Sequence, residues 1–254
     1  SKILKGLTSE DIEITAVLRN SASSKHNIPS SINKIIYSND IFSETVEWWA
    51  DNCHDVDIVV HSAWYAEPGK YLQSTKNLSC LEGSIRLAKG AAIAGVKRFI
   101  GIGTCFEYEM SNKPLDIKSN HYPLTLYASS KLSLYYLLKE FFELKDIKFT
   151  WCRLFYLYGD GEDSRRFIPY LKERLKNGEA AELTSGIQVR DFMNVEDAGN
   201  IIAKIAVGTR DGVINVCSGK PVTVREMAEK IADEYGRRDL LKFGAREDNL
   251  IDPD

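Results

Sequence analysis

The sequence has few of the residues from which metal centres and disulfide frameworks are built. Of its 254 residues only four are histidines and five are cysteines. The cysteines stand singly, at Cys53, Cys80, Cys105, Cys152 and Cys217. This spacing matches no metal-ligand pattern, and scattered thiols in odd number do not indicate a disulfide framework. The sequence therefore predicts no metal site and favours a reducing, cytoplasmic compartment.

The sequence also lacks a dominant charge and long apolar runs. Lysine and arginine number 33 and aspartate and glutamate 36, which leaves a formal net charge of −3. No nucleic-acid partner is predicted, because such binding requires clustered positive charge. Apolar stretches such as residues 96–102 are broken by charge or glycine long before the ~20 residues that span a membrane. No membrane partner is predicted either.

Short apolar strands alternate with amphipathic helices along the first part of the chain. The periodicity predicts helices at residues 2–7, 43–51, 75–94 and 124–144. It predicts strands at residues 12–18, 34–37, 57–61, 98–102 and 149–154. Because parallel strands are joined by helical crossovers, this order indicates an α/β fold with a Rossmann-like, doubly wound parallel sheet over residues 1–159.

The pattern changes after Gly159. Helices are predicted at residues 164–177, 195–207 and 224–235, with short strands near Leu183 and at residues 213–216. Thr223 is followed three residues later by Glu226, which predicts a capping box at the start of the last helix. Residues 160–254 are therefore predicted to form a smaller C-terminal α/β lobe.

Thr104, Tyr127 and Lys131 are the candidate catalytic residues. Tyr127 and Lys131 are four residues apart, so a helix places them on one face, where the ammonium is expected to lower the pKa of the phenol. Thr104 ends an apolar run and would hydrogen-bond the same substrate oxygen. The alternative is an aromatic residue beside an exposed lysine on an amphipathic helix.

A series of further motifs resembles the extended short-chain dehydrogenase/reductase family, which contains nucleotide-sugar epimerases, dehydratases and reductases. The motifs follow the order of that family at residues 57–63, 95–104, Tyr108, Tyr127, Lys131, 153–159, 188–192, 195–197, 215–219 and Arg246. The resemblance covers nearly the whole chain. It implies an NAD(P)-dependent enzyme, with the cofactor bound by residues 1–159 and a nucleotide-diphosphate sugar bound by the lobe at residues 160–254.

The chain departs from this family at its start. Members begin with a strand and a Gly-x-x-Gly-x-x-Gly turn that places a pyrophosphate on a helix N-terminus. Ser1 matches the residue just after that turn. The resemblance therefore implies that the first strand and the phosphate loop precede Ser1, and that further elements follow Asp254.

The resemblance also assigns the cofactor contacts. They are Arg19, Asp40, Ile41, Ser62, Ala63 and Trp64, together with Tyr127 and Lys131. Arg19 stands where an acidic residue would bind the ribose of NAD, and Ser21, Ser23 and Lys25 follow it. A cation and hydroxyls suit a 2′-phosphate, so NADP(H) is favoured and NAD(H) is the alternative. The competing interpretation of Arg19 is a solvated loop residue. That of Asp40 and Ile41 is a turn beside the core.

Substrate contacts are implied for a second set of residues, namely Cys105, Phe106, Tyr156, Arg165, Arg190 and Arg246. Arg190 and Arg246 match positions that clamp the diphosphate, for which arginine forks are suited. The alternative for Arg190 is a salt bridge with Asp191 or Asp197, and for Arg165 a solvated helix start. His61 is predicted to be structural.

The residues after Thr104 restrict the expected reaction. Sugar 4,6-dehydratases of the family carry Asp-Glu there, whereas this chain has Cys105 and Phe106, which cannot perform carboxylate chemistry. The favoured function is therefore an NDP-4-keto-6-deoxyhexose 4-reductase. The alternatives are an NDP-hexose 4-epimerase with tightly bound NAD and, in another class, a non-catalytic sensor or scaffold. A homodimer through the helices at 75–94 and 124–144 is also implied.

Overall fold

The computed structural model describes residues 2–20, 29–110 and 113–248. Within these ranges the helices are α1 Lys2–Leu7, α2 Val46–Asn52, α3 Lys76–Ile93, α4 Leu126–Leu144, α5 Phe167–Asn177, α6 Val195–Val207 and α7 Val224–Tyr235. The strands are β1 Thr15–Arg19, β2 Lys34–Ser38, β3 Ile58–His61, β4 Arg98–Thr104, β5 Lys148–Leu154, β6 Tyr156–Tyr158, β7 Ala181–Glu182, β8 Val189–Asn194, β9 Gly212–Val216, β10 Pro221–Thr223 and β11 Leu241–Lys242. Short 3-10 helices occur at Cys105–Glu107 and Arg238–Leu240.

Parallel strands joined by helices dominate the first part of the structure. One sheet has the order β3-β4-β5-β9 with every pairing parallel, and β1 and β2 form a separate parallel pair. Helix α3 connects β3 to β4, and α4 connects β4 to β5, as parallel pairing requires. The prediction of an α/β fold of the Rossmann type is confirmed.

Strand β4 lies at the centre of the core of this sheet. All seven of its residues are buried, and Phe99 packs with Phe142 and Trp151 among the apolar side chains of α3 and α4. Gly103 has no side chain for a geometric reason. A Cβ there would meet the Trp151 indole and would lie 2.5 Å from the Glu107 Oε1 atom. The end of β4 is thus shaped around two neighbouring side chains.

The chain divides into two compact units, of which the first contains Ser1–Leu154 and Glu196–Val216. The second unit contains Phe155–Val195 and Cys217–Asp254. The sequence placed a single boundary after residue 159. The structure instead returns the chain to the first unit, because β9 pairs with β5 from Gly212 to Val216. Linear order alone gave no sign of this pairing.

The second unit has its own small sheets and core. Strand β8 pairs with β10 in antiparallel and with β6 in parallel orientation, and β7 pairs with β11. Helices α5 and α7 contribute Leu171 and Ala228 to the core. The predicted capping box of α7 is confirmed, since the Thr223 hydroxyl accepts from the Glu226 N–H at 3.0 Å and Glu226 accepts from the Thr223 N–H at 2.8 Å.

Some features are lacking in the part of the chain that the structure describes. No helix there is long and apolar enough to cross a membrane. No group of three or more His, Cys, Asp or Glu side chains in those ranges is placed to hold a metal ion. The five cysteines are free thiols, and all but Cys217 are buried.

Candidate active site

Thr104 lies at the junction of β4 and the 3-10 helix that follows it. Its hydroxyl accepts a hydrogen bond from the Phe106 N–H at 3.3 Å, and its own N–H donates to the Glu107 carboxylate at 2.9 Å. The Thr104 side chain also accepts from the Glu107 N–H, which together with the bond from the Thr104 N–H to Glu107 completes a capping box at the start of the helical turn. The Thr104 side chain is therefore fixed in direction at the carboxyl end of a buried strand.

Tyr127 lies in the first turn of α4, and a preceding loop anchors that turn. The Tyr127 N–H donates to the Leu72 carbonyl at 2.9 Å, and the Leu126 N–H donates to the Gln73 side chain at 3.2 Å. The Tyr71 ring meets the Tyr127 ring edge-on, with centroids 4.9 Å apart. The Thr104 side chain lies close enough to the Tyr127 phenol to lower its pKa, against the larger effect of burial. The structure thus brings these two predicted residues together.

Lys131 lies one turn further along α4 and is only 4% exposed. Its Nζ atom donates to the Ile102 carbonyl at 2.7 Å and lies 3.8 Å from the centre of the Trp64 ring. Trp64 is itself held by a 2.8 Å bond from its indole N–H to Asn77. The amine is therefore fixed beside β4, between the strand backbone and an aromatic face.

The electrostatics of these residues differ from the sequence-based expectation. Burial lowers the pKa of Lys131 to about 7, and the charges of Glu107 and Cys80 oppose this fall. Burial raises the pKa of Tyr127, and the charges of Tyr71 and Glu107 raise it further. The expectation that Lys131 lowers the phenol pKa is wrong here, because the amine bonds to Ile102 and faces Trp64. Tyr127 is therefore a protonated phenol at neutral pH.

The predicted cofactor residues lie at the carboxyl ends of β1, β2 and β3. Arg19 ends β1 and is exposed, while Asp40 follows β2 and accepts from the Phe42 N–H at 3.0 Å. The charges of Lys131, Asp40 and Arg19 all act on the Cys80 thiol of α3.

The remaining cofactor candidates have mixed surroundings. Ile41 packs against the core, which agrees with its competing interpretation as a core residue. Ser62 is exposed and Ala63 half-buried after the end of β3. Ser21, Ser23 and Lys25 lie outside the described residues.

His61 has the structural surroundings that the sequence predicted. Its Nε2 atom lies 2.7 Å from the Ser84 hydroxyl, and that hydroxyl donates to the Cys80 carbonyl at 2.7 Å. The imidazole must then donate through Nε2, since the hydroxyl hydrogen is already used. Burial and the Lys131 charge lower the pKa of His61 to about 3. His61 is a neutral residue with a fixed partner.

The second unit contains Tyr156, Arg190 and Arg246. The Arg190 guanidinium lies 5.1 Å from the centre of the Tyr156 ring and donates to the Val189 carbonyl at 2.7 Å. The Arg246 guanidinium lies 4.6 Å from the centre of another tyrosine ring. Asp191, the alternative partner of Arg190, accepts instead from two backbone N–H groups at 2.7 Å. Arg190 and Arg246 are thus arginines stacked on tyrosines.

The other predicted substrate residues are less clearly placed for binding. Arg165 is exposed and forms two 2.9 Å bonds with Asp163, which agrees with its alternative as part of a solvated helix start. Cys105 is 3% exposed and Phe106 is half-buried, both directly after Thr104.

Sequence reasoning missed a buried polar group beside Thr104. Glu107 and Arg153 have no exposed side-chain surface and meet at 2.6 Å. The Trp151 indole N–H also donates to Glu107, at 3.0 Å. A signal was available, because Thr104 and Glu107 have the spacing of a capping box, as Thr223 and Glu226 do. The partners Trp151 and Arg153 had no comparable local signal.

The fold and this arrangement define a class of protein. A parallel α/β sheet of the Rossmann type carries a hydroxyl, a phenol and an amine at the carboxyl end of its central strand. That end of an open α/β sheet is where ligands bind.

Comparison with known proteins identifies the family. The model described as "NAD dependent epimerase/dehydratase family" matches residues 1–217. The chain belongs to this family, within the extended short-chain dehydrogenases/reductases, as the motif order predicted. A dTDP-6-deoxy-L-talose 4-dehydrogenase (NAD(+)) of Aggregatibacter actinomycetemcomitans is 24% identical over 243 residues, which cover 95% of this chain and 88% of that protein.

Two solved structures show the same similarity. A UDP-N-acetylglucosamine 4-epimerase from Methanobrevibacter ruminantium M1, in complex with UDP-N-acetylmuramic acid, is 25% identical with a TM-score of 0.80. The alignment covers 99% of this chain and 82% of that chain. The Bordetella bronchiseptica enzyme WbmG, in complex with NAD and UDP, is 25% identical with a TM-score of 0.73, covering 92% and 74% of the two chains.

Proposed function

We propose that this protein is an NAD(P)-dependent oxidoreductase that acts at C4 of a nucleotide-linked hexose, and specifically an NDP-4-keto-6-deoxyhexose 4-reductase. The observation that carries the proposal is the placement of the Thr104 side chain beside a protonated Tyr127, with the Lys131 amine one helical turn away. Reduction of a ketone requires a proton donor at its oxygen. Tyr127 is in the protonation state that this direction requires.

The roles of the three residues follow from their geometry. Tyr127 protonates the C4 oxygen, and the Thr104 hydroxyl hydrogen-bonds the same oxygen and orients it. Lys131 has N–H donors beyond the one it gives to Ile102, and hydroxyls of a nicotinamide ribose suit them. A bound nicotinamide nucleotide supplies the hydride. The residues present at the strand ends therefore fit this cofactor.

The neighbours of Thr104 argue against dehydration. A dehydratase needs carboxylates to move protons at two further carbons, and the next two side chains here are a buried thiol and a half-buried phenyl ring. Glu107 is near, but its carboxylate is enclosed by Arg153, Trp151 and the Thr104 N–H. This supports a reaction with one proton carrier.

The relatives favour chemistry at C4 and leave two candidates. One is named a 4-dehydrogenase of a 6-deoxy sugar and another a 4-epimerase. The 4-reductase is the reverse direction of the first. A 4-epimerase with tightly bound NAD would use the same three residues twice. A non-catalytic sensor is the third candidate. Such a protein would not need Thr104 placed beside Tyr127, which argues against it.

The choice of nicotinamide cofactor is a separate proposal. Arg19 is exposed at the end of β1, which supports a contact with the 2′-phosphate of NADP(H). The names of the similar proteins mention NAD. Turnover with NADPH and with NADH, compared in the parent protein and in Arg19→Ala, distinguishes them. A preference for NADPH that disappears in the variant is expected.

We also propose a homodimer and a cytoplasmic location. Apolar side chains remain exposed on the two helices that the sequence assigned to a dimer, namely Leu78 and Ile93 on α3 and Tyr136, Leu137 and Leu144 on α4. Such surface suits an interface. Sedimentation of the parent protein and of Leu137→Glu tests the dimer. The five free thiols support a reducing compartment.

The central experiment is a turnover assay with a panel of NDP-4-keto-6-deoxyhexoses. Net oxidation of NADPH or NADH, with formation of the 4-hydroxy sugar, is the expected result. Interconversion of 4-epimers without net change in the cofactor indicates the epimerase. Nucleotide-sugar binding without turnover of either kind indicates the sensor. The stereochemistry of the product identifies the 4-epimer that is formed.

A further inference from the structure

A buried carboxylate lies directly beside the reacting hydroxyl of the candidate site. Glu107 has no exposed side-chain surface, and its oxygens accept from three N–H groups. These are the Thr104 backbone at 2.9 Å, the Trp151 indole at 3.0 Å and the Arg153 guanidinium at 2.6 Å. All three donors belong to β4 and β5, so the carboxylate connects two central strands of the sheet.

The core beside β4 leaves space for this carboxylate where an apolar side chain could otherwise pack. Gly103 leaves the space that the Glu107 oxygen occupies, since a Cβ would lie 2.5 Å from it. The Arg153 guanidinium that neutralises Glu107 lies 4.4 Å from the centre of the Tyr108 ring and 5.1 Å from that of Tyr135. A buried ion pair is seldom better for stability than apolar side chains of the same volume. A role beyond packing is therefore indicated.

The bond from the Thr104 N–H to Glu107 holds the backbone that carries the Thr104 hydroxyl. The Thr104 backbone is extended, with φ −144° and ψ 150°, and turns at once into the 3-10 helix. If the N–H is held, the Cα–Cβ bond is held too, and the hydroxyl stays beside Tyr127. Loss of this bond would leave a buried N–H without an acceptor and free the turn to shift.

We propose that Glu107 is a positioning residue, which keeps the Thr104 hydroxyl aligned with Tyr127 by holding the Thr104 N–H. Arg153 and Trp151 hold Glu107 in turn. The inference rests on the proposed function, because it assigns Glu107 a role in the same reaction. The charge of Glu107 also raises the pKa of both Tyr127 and Lys131, which supports a carboxylate that acts on the whole site.

Two double variants separate positioning from charge. Glu107→Gln with Arg153→Met, and Glu107→Leu with Arg153→Met, both remove the ion pair. Only the first retains an oxygen that can accept from the Thr104 N–H. Relative to the Gln variant, the Leu variant is expected to lose roughly 10²-fold in kcat with little change in KM, since small misplacements of reacting groups have such effects. Equal kcat in the two would overturn the proposal.

A background without the Thr104 hydroxyl gives the sharper control. In Thr104→Val the two double variants are expected to have the same kcat, because Glu107 then has no hydroxyl to align. A persisting difference means that Glu107 acts elsewhere, which overturns the proposal. If the Leu variant does not fold, Glu107→Asp replaces it, since it keeps the charge but shortens the reach to the Thr104 N–H.

Amide hydrogen exchange at Thr104 provides a readout that does not need turnover. Slow exchange is expected in the parent protein and the Gln variant, and faster exchange in the Leu or Asp variant. If the parent protein turns over no keto sugar, the proposed function fails, while the exchange rates still decide whether Glu107 holds Thr104. Exchange that is equally fast in the parent and the Leu variant overturns the positioning role itself.

Discussion

Lys131 in the first unit and Arg190 in the second are both cations held against an aromatic ring, but their surroundings differ. Lys131 is 4% exposed, and burial lowers its pKa to about 7. Arg190 is only partly buried, with its guanidinium 5.1 Å from the centre of the Tyr156 ring. The first unit therefore keeps the Lys131 amine away from water, whereas the second leaves Arg190 only partly buried.

This difference indicates which kind of contribution each group can make. Where water is excluded, a hydrogen bond or a charge acts strongly on its neighbours and shifts their pKa values. Near the surface the same groups are screened by salt, so they suit the binding of a charged ligand. In the proposed function, the first unit therefore carries proton transfer and the second carries recognition of the ligand.

Among the substitutions that test this contrast between the two units, Tyr127→Phe is expected to have the largest effect. It removes the proton donor but keeps the ring against Tyr71. We expect kcat to fall by about 10³- to 10⁴-fold with little change in cofactor binding. The measurement is steady-state turnover together with calorimetric binding. Tyr71→Phe is the matched control, and a kcat for Tyr127→Phe equal to that of this control would contradict the assignment.

Lys131→Met tests the consequence of burying the amine. Below pH 7 the folded and unfolded chains both hold this proton, and the burial penalty is fully present. Between pH 7 and 10.5 the unfolded chain binds the proton more strongly, so stability rises with pH. We expect this rise, roughly 3 to 5 kcal/mol at 1.36 kcal/mol per pKa unit, to disappear in the variant.

The measurement for Lys131 is the free energy of unfolding in urea at several pH values between 6 and 10. Lys139→Met is the control, since this lysine of the same helix is exposed. An unchanged pH dependence in Lys131→Met would mean that the amine is not buried as described.

Arg190→Ala tests whether the second unit recognises a charged ligand. We expect KM for the nucleotide sugar to rise by about 10- to 100-fold, as for the loss of a hydrogen bond to a charged group, while kcat stays similar. The salt dependence of KM should also weaken. Arg190→Lys should recover part of the affinity, since it restores the charge but not the fork. A fall in kcat at constant KM would contradict a binding role.

Arg165→Ala is expected to have the smallest effect. Its partner Asp163 lies beside it near the surface, where water and salt screen an ion pair, so the pair contributes little to stability. We expect the equilibrium constant of unfolding, measured in urea, and KM each to change by less than about threefold. A rise in KM as large as that of Arg190→Ala would restore Arg165 to the substrate contacts.

Much of the fold could be predicted because its signals are local. Helices α1, α6 and α7 were predicted with the bounds that the structure has, since their periodicity and caps lie within each segment. The prediction of β9 as a short strand was also right. Its pairing with β5 was not foreseen, because hydrogen bonds between distant strands leave no local pattern.

The candidate site shows the same division. Thr104, Tyr127 and Lys131 were identified from spacing and from their place at a strand end or a helix start. The capping box of Thr104 and Glu107 has the same spacing as that of Thr223 and Glu226, and only the second was recognised. The direction of the pKa shift of Tyr127 was predicted wrongly for another reason. The i, i+4 spacing shows that Lys131 shares a helix face with Tyr127, but not which group its amine contacts.

The amino-acid sequence by itself determined the order of strands and helices in the first unit, the family and the identity of the three candidate catalytic residues. These follow from periodicity and motif spacing, which are properties of short segments. Only the tertiary structure decided that Lys131 faces Ile102 and Trp64, and that Glu107 pairs with Arg153. Those outcomes depend on desolvation and on segments far apart in the chain, and both exist only once the core has formed.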